Sequence, residues 1–250
     1  MAKIIAFANQ KGGVGKTTSC VNLSAALQSI GKRVLMVDCD PQGNASSGMG
    51  VNKSSRPNTY DMLINGVQPE KCIHHTDYSD VIPTGKELAA ASVELIQAER
   101  REYTLKNALQ KLYSDYDYIF IDCPPSLELL TVNSLVAADS VLIPMQCEYY
   151  ALEGIVDLMT SIRMCSKKLN RRLQVQGIIL TMYDARARLT TQVEDELRKH
   201  LGSKVYDTVI PRSVRLSEAP SHGIPGVLYD RANKGSKAYM ALAAEFLSKE

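Results

Sequence analysis

The run Gln10-Lys11-Gly12-Gly13-Val14-Gly15-Lys16-Thr17-Thr18 leaves this chain few folds to choose from. It follows the apolar stretch Ile4-Ile5-Ala6-Phe7-Ala8, which reads as a buried strand. It opens Val21-Asn22-Leu23-Ser24-Ala25-Ala26-Leu27, which reads as a helix. A strand, a glycine turn and a helix N-terminus together form a phosphate cradle, because the loop N–H groups point inward and the helix dipole favours negative charge. Gly12, Gly13, Val14, Gly15 and Thr18 supply the backbone of that cradle. Lys16 would reach the β- and γ-phosphates of a nucleotide, and the Thr17 hydroxyl would hold Mg2+. One position departs from the standard pattern. Gln10 stands where a glycine is usual, and an extra lysine, Lys11, follows it.

Strands and helices alternate downstream. Candidate strands cover 3–9, 33–38, 79–82, 118–122, 140–146, 174–182 and 205–210. Candidate helices cover 16–30, 86–112, 126–137, 151–169, 189–200 and 236–248. Residues 41–78 have little periodicity and read as loops and short helices. Several strands are continuously apolar, such as Tyr118-Ile119-Phe120-Ile121. Strands buried on both faces look like that, so the expected architecture is α/β, a mainly parallel twisted sheet with helices on both faces. The 250 residues suffice for one such domain over 1–250, and no repeat or low-complexity run divides them.

Charge is uneven. Residues 1–159 carry a net −5 and residues 160–250 a net +7. A basic C-terminal part suits a polyanion, and equally an ordinary solvated surface. No secretion signal is read before the first strand and no CxxC pair occurs. The six cysteines are therefore expected to be reduced thiols packed as small hydrophobes in a cytoplasmic protein. No apolar stretch is long enough to span a bilayer.

Two acidic strand ends complete a candidate site. Asp38-Cys39-Asp40-Pro41-Gln42-Gly43-Asn44 follows the second strand. A phosphoanhydride hydrolase needs a group to orient the attacking water, and Asp40 suits that role, with Asp38 nearer the metal. The same residues would also make a plain turn. Ile121-Asp122-Cys123-Pro124-Pro125-Ser126 ends the fourth strand. Asp122 fits the Mg2+ shell, often through water, or a cap on the next helix.

Taken together, the KGGVGKTT loop, DCDPQGN, IDCPPS, Cys147-Glu148-Tyr149-Tyr150-Ala151-Leu152-Glu153-Gly154 and VIPRSVRLSEAPSHG resemble the ParA/Soj family, chromosome- and plasmid-partitioning ATPases with a deviant Walker A loop. The likeness runs from about residue 3 to the C-terminus and is greatest to the short chromosomal type. It implies a slow ATP hydrolase that dimerises on ATP with Mg2+ as cofactor. Lys11 would cross to the partner's nucleotide, acting like an arginine finger, with Gly12 at the interface. Adenine would lie near Thr181, Met182, Pro211 and Arg212. Arginines matching Arg186 and Arg215 would bind double-stranded DNA without sequence preference, giving a nucleoid-associated protein. A ParB-like partner would stimulate hydrolysis. No membrane contact is expected. The runner-up is a MinD-like positioning ATPase on a membrane, anchored by a C-terminal amphipathic helix. The charges opposite Tyr239, Leu242, Ala243, Phe246 and Leu247 are mixed, so a helix docked on its own domain is expected instead.

Overall fold

The computed structural model describes residues 1–149 and 151–250; Tyr150, part of the segment that carries the resemblance, lies outside the described residues. Chain order is β1 (Lys3–Phe7), α1 (Lys16–Ser29), β2 (Val34–Asp38), α2 (Asn44–Gly48), α3 (Thr59–Leu63), β3 (Asp80–Ile82), α4 (Leu88–Glu94), α5 (Thr104–Leu109) and β4 (Tyr118–Asp122). It continues with α6 (Leu129–Ala137), β5 (Ser140–Gln146), α7 (Ala151–Lys168), β6 (Gln174–Thr181), α8 (Arg188–Leu201), α9 (Val214–Glu218), α10 (Gly226–Tyr229) and α11 (Lys234–Ser248). The strands form one parallel sheet in the order β3-β2-β4-β1-β5-β6.

Side chains alternate across the sheet, and both faces are covered. Ile4 and Ala6 of β1 join Leu35, Val37, Ile119 and Ile121 in a core capped by helices such as α5, α6 and α7. Ile5 and Phe7 join Met36, Phe120 and Leu142 in a second core beneath α1 and α11. Burial on both faces explains why these strands read as apolar runs without a polar period.

Helix α11 docks by its apolar side. Tyr239, Leu242, Ala243 and Phe246 are buried, and the Phe246 ring lies 5.4 Å from Tyr118 and 6.0 Å from Phe120. The Tyr239 hydroxyl meets Ser19 Oγ of α1 at 3.0 Å.

Two expectations need correction. Residues 205–210 are not a seventh strand. They follow β6 through isolated bridges, Ile178 with Val205 and Tyr183 with Pro211. Between these bridges the Asp207 and Thr208 N–H groups turn away and donate to the Glu245 carboxylate, each at 2.8 Å. Nor is 86–112 one helix. It breaks after α4 into short 3-10 turns and resumes as α5, with Ala98 extended and Arg100 in the left-handed region at φ 51°. Residues 41–78 hold α2, α3 and a 3-10 turn over Pro69–Cys72, as expected of a weakly periodic stretch.

Candidate nucleotide and metal site

β1 sits between β4 and β5, so the chain passes from one side of it to the other. In open parallel sheets ligands bind at such a switch point, beyond the carboxyl ends of the strands. The loop leaving β1 occupies that crevice. Gly13 and Gly15 adopt φ of 72° and 84°, values open to glycine and strained for other residues. A Cβ on Gly15 would also lie 3.5 Å from Thr181. The loop is tied down from β5 and β6. Thr181 Oγ1 donates to Val14 O at 2.7 Å, and Gln146 Nε2 donates to Gly13 O at 2.9 Å. Asn9 accepts the Lys11 N–H at 3.0 Å and donates to Pro144 O at 2.8 Å. With its loop carbonyls held outside, the cradle can present N–H groups to an anion.

Lys16 is buried, and its Nζ reaches back over the loop to Lys11 O at 3.2 Å. Burial lowers its pKa, against the pull of the Asp122 charge. The parallel register sets Asp38 and Asp122 side by side at the ends of β2 and β4. Asp122 Oδ2 accepts from Thr17 Oγ1 at 2.7 Å, while its buried Oδ1 has no hydrogen-bond partner among the described residues. An uncompensated buried carboxylate oxygen beside a threonine hydroxyl is a donor set of the kind a hydrated hard cation takes. Burial, reinforced by the neighbouring Asp38, pushes the Asp122 pKa well above the usual carboxylate range. The residues therefore fit Mg2+.

Asp38 faces a different set of partners. Its Oδ2 accepts from Ser46 N–H and Ser46 Oγ at 2.8 and 2.7 Å, and its Oδ1 from Asp40 N–H at 3.1 Å. Burial still dominates these bonds and raises its pKa to about 6. Asp38 thus anchors α2 and the turn after β2, and no bond between it and Lys16 or Thr17 is formed. Asp40 sits on that turn, nearly buried, with Oδ1 accepting the Gln42 N–H at 3.0 Å.

Lys11 is exposed and ion-paired with Glu148, on the loop after β5. Gly12 is exposed too, and a Cβ there would meet nothing within 4 Å. Thr181, Met182, Pro211 and Arg212 line one cleft beside Gly15 and Thr18. Met182 adopts φ 49°, and its sulfur accepts from Gln146 Nε2. Tyr239 of α11 lines the same cleft.

The bridge between Tyr183 and Pro211 sets the loops bearing Arg186 and Arg212 side by side. Arg186 pairs with Asp184 at 3.0 Å, and Arg215 with Glu218 at 2.9 Å and Asp230 at 3.6 Å. Both arginines are exposed, and their carboxylate partners are partly buried. Asn9 and Gln146 escape a reading of the sequence, and Glu148 and Tyr239 enter it without these contacts. Gln146 was findable, since it ends a strand as Asp38 and Asp122 do.

Residues 2–175 match the family model described as an AAA domain. The sporulation initiation inhibitor protein Soj of Bacillus subtilis is 54% identical over 248 residues, covering 98% of this chain and 98% of that protein. The chromosome partitioning protein ParA of Caulobacter vibrioides is 49% identical, covering 99% of this chain and 95% of that protein. Among solved structures, cobyrinic acid a,c-diamide synthase from Mycobacterium smegmatis with bound ADP and magnesium superposes with a TM-score of 0.84. It shares 34% identity, over 98% of this chain and 93% of that one.

Proposed function

Because this chain belongs to the ParA/Soj family of partitioning ATPases, we propose that it is a slow ATP hydrolase whose ATP-bound form is a face-to-face dimer. The dimer binds double-stranded DNA without regard to sequence. Hydrolysis, sped by a ParB-like partner, releases it and so drives segregation of a chromosome or plasmid. The observation that carries this reading is the cradle itself: a loop whose glycines take left-handed backbone angles, a buried Lys16, and Thr17 bonded to an Asp122 whose other oxygen lacks a partner among the described residues.

Each residue has a role in that reaction. The loop N–H groups and Lys16 bind and orient the phosphates. Thr17, and Asp122 through water, would hold Mg2+, which when bound offsets charge on the β- and γ-phosphates. Asp40 orients a water molecule for in-line attack on the γ-phosphorus. A bond forms from the water oxygen, the γ-phosphorus to bridging-oxygen bond breaks, and ADP and inorganic phosphate leave. Thr181, Met182, Pro211 and Arg212 enclose the base.

Lys11 gives up Glu148 and reaches the partner's phosphates. Both side chains of that pair are about half exposed, at 48% and 49%. Exposed pairs are worth roughly 0–1 kcal/mol, so the exchange meets little resistance. The same holds for Arg186 and Arg215, which can leave neighbouring carboxylates for DNA phosphates. One weak patch per subunit becomes two on a rigid dimer, which gains by effective concentration. This is how ATP would govern DNA binding without touching DNA. Burial of the apolar side of α11 on α1 speaks for this reading over a membrane-anchored one.

The test is to size Asp40→Ala with ATP or ADP and measure its DNA co-sedimentation. We expect a dimer that pellets with DNA in ATP alone. A monomer under both nucleotides would overturn the proposal.

A further inference from the structure

The turn that carries Asp40 closes on itself and is gripped from outside by one side chain. Within it, the Gly43 N–H donates to Asp40 O at 2.8 Å and the Gln42 N–H to Asp40 Oδ1 at 3.0 Å. Gly43 adopts φ 62°, in the left-handed region, and leads directly into α2. A Cβ on it would lie 3.0 Å from Thr84 O and 3.1 Å from Cγ and Cδ of Lys53. The Lys53 stem therefore lies over the turn at its narrowest point. Its ammonium reaches both flanks of Gly43, donating to Gln42 O and, at 3.1 Å, to Asn44 Oδ1.

Lys53 is itself firmly placed. It is partly buried, and the residues around it are bonded locally: the Val51 N–H to Ser46 O at 2.9 Å and the Ser54 N–H to Asn52 Oδ1 at 2.8 Å. Its own carbonyl packs so closely on Gly85 that a Cβ there would come within 2.6 Å of it. A long cationic side chain fixed at its base, with both acceptors on one catalytic turn, acts as a clamp.

We infer that Lys53 is a positioning residue for ATP hydrolysis: it fixes the 40–44 turn so that Asp40 faces the attacking water. The inference rests on the assignment of that water to Asp40. Lys53 contacts the turn and not the phosphate cradle, so it acts on the chemical step and leaves nucleotide affinity to Lys16 and the loop. The size of the effect follows from geometry, since displacing a catalytic group by about 1 Å can cost on the order of 100-fold in rate.

Steady-state ATP hydrolysis by the full chain with Mg2+, titration with a fluorescent ATP analogue and thermal melting would be compared across variants. Lys53→Met keeps the stem over Gly43 and removes the donors. We expect its kcat to fall roughly ten-fold or more while KM and analogue affinity stay within about two-fold of wild type. Lys53→Arg, which keeps a cation and its donors, should recover most of that rate. Asp40→Ala should be inactive, and adding Lys53→Met to it should change nothing further, because the two act through one turn. A wild-type kcat in Lys53→Met with an inactive Asp40→Ala would remove Lys53 alone. A parallel loss of kcat, analogue affinity and melting temperature, not recovered by arginine, would reduce Lys53 to a structural contact. Normal hydrolysis by Asp40→Ala would overturn the assignment of Asp40, and the inference with it.

Discussion

Lys16 and Lys11 differ by five positions and by every physical measure that matters. Lys16 is buried beside Asp122, so its contact with a phosphate would be a desolvated one. Lys16→Ala should abolish ATP binding, raising the dissociation constant by about 100-fold or more, the scale of a buried charged contact of 2.7 kcal/mol or above. Fluorescent-nucleotide titration would check it, and near-normal affinity would remove Lys16 from the site. Gly12 makes the complementary prediction. A Cβ there meets nothing within 4 Å among the described residues. Gly12→Val should therefore melt close to wild type and bind ATP, yet stay monomeric when sized with ATP. The phosphate loop was legible in the sequence because its chemistry is spelled by adjacent residues. The engagement of Asp38 with Ser46 was not, since a serine eight positions away looks like any loop serine. The Lys11–Glu148 pair spans 137 positions and becomes visible once β1 and β5 lie side by side.

Among the elements, α11 shows how much hangs on packing that propensity does not announce. Phe246 is fully buried among Tyr118 and Phe120, so Phe246→Ala should destabilise the fold by about 3–5 kcal/mol in denaturant unfolding. Glu245 on the same helix ties it to the 205–210 segment. Burial raises its pKa, but Lys249 and the Asp207 and Thr208 N–H groups outweigh burial and bring it to about 2, from an ordinary 4.5. A depressed native pKa means the carboxylate stabilises the fold above pH 4.5, and the contribution fades as pH falls from 4.5 towards 2. Glu245→Gln should thus lower stability by about 2 kcal/mol near neutral pH, and the gap to wild type should shrink in acid. Equal gaps at pH 7 and pH 3 would contradict this. The same contact explains why 205–210 reads as a strand and is not one. Its apolar residues Val205, Tyr206 and Ile210 do pack as a strand's would. Two of its backbone donors are taken by a side chain 37 and 38 positions away, which no local pattern records. The helices α1, α7, α8 and α11 were legible to within two residues at each end: α7, α8 and α11 each bury one long stripe, and α1 is a continuous run of small and apolar residues buried on nearly all sides. The 86–112 stretch misled because its apolar spacing survives a break in the helix at Ala98–Arg100.

For the whole molecule, the parallel sheet and its two covered faces followed from strands that carry no polar period. The strand order did not, since nothing local tells β1 to lie between β4 and β5. That order gathers Gly15, Asp38, Asp122 and Thr181 at one edge. Arg215, in α9, lies between Ser213 and Leu216, which line the cleft beside Gly15 and Thr181. Arg215→Glu should weaken DNA co-sedimentation in ATP while leaving the ATP-dependent dimer intact. Its binding should depend less steeply on salt, by about one unit of log-log slope for each lost phosphate contact. Unchanged DNA binding would locate the patch elsewhere.

The pairing of α1 with α11 carries a consequence in time. Ser19, in the helix that opens the phosphate cradle, finds its partner in Tyr239, 220 positions later. Tyr239 also walls the cleft beside Gly15 and Thr18. A growing chain on the ribosome therefore exposes its glycine loop early and carries it unfinished through most of synthesis. That cleft gains its Tyr239 wall when Lys234–Ser248 emerges and folds back onto the first helix. Nascent chains short of that point lack one wall of the cleft and should hold ATP poorly.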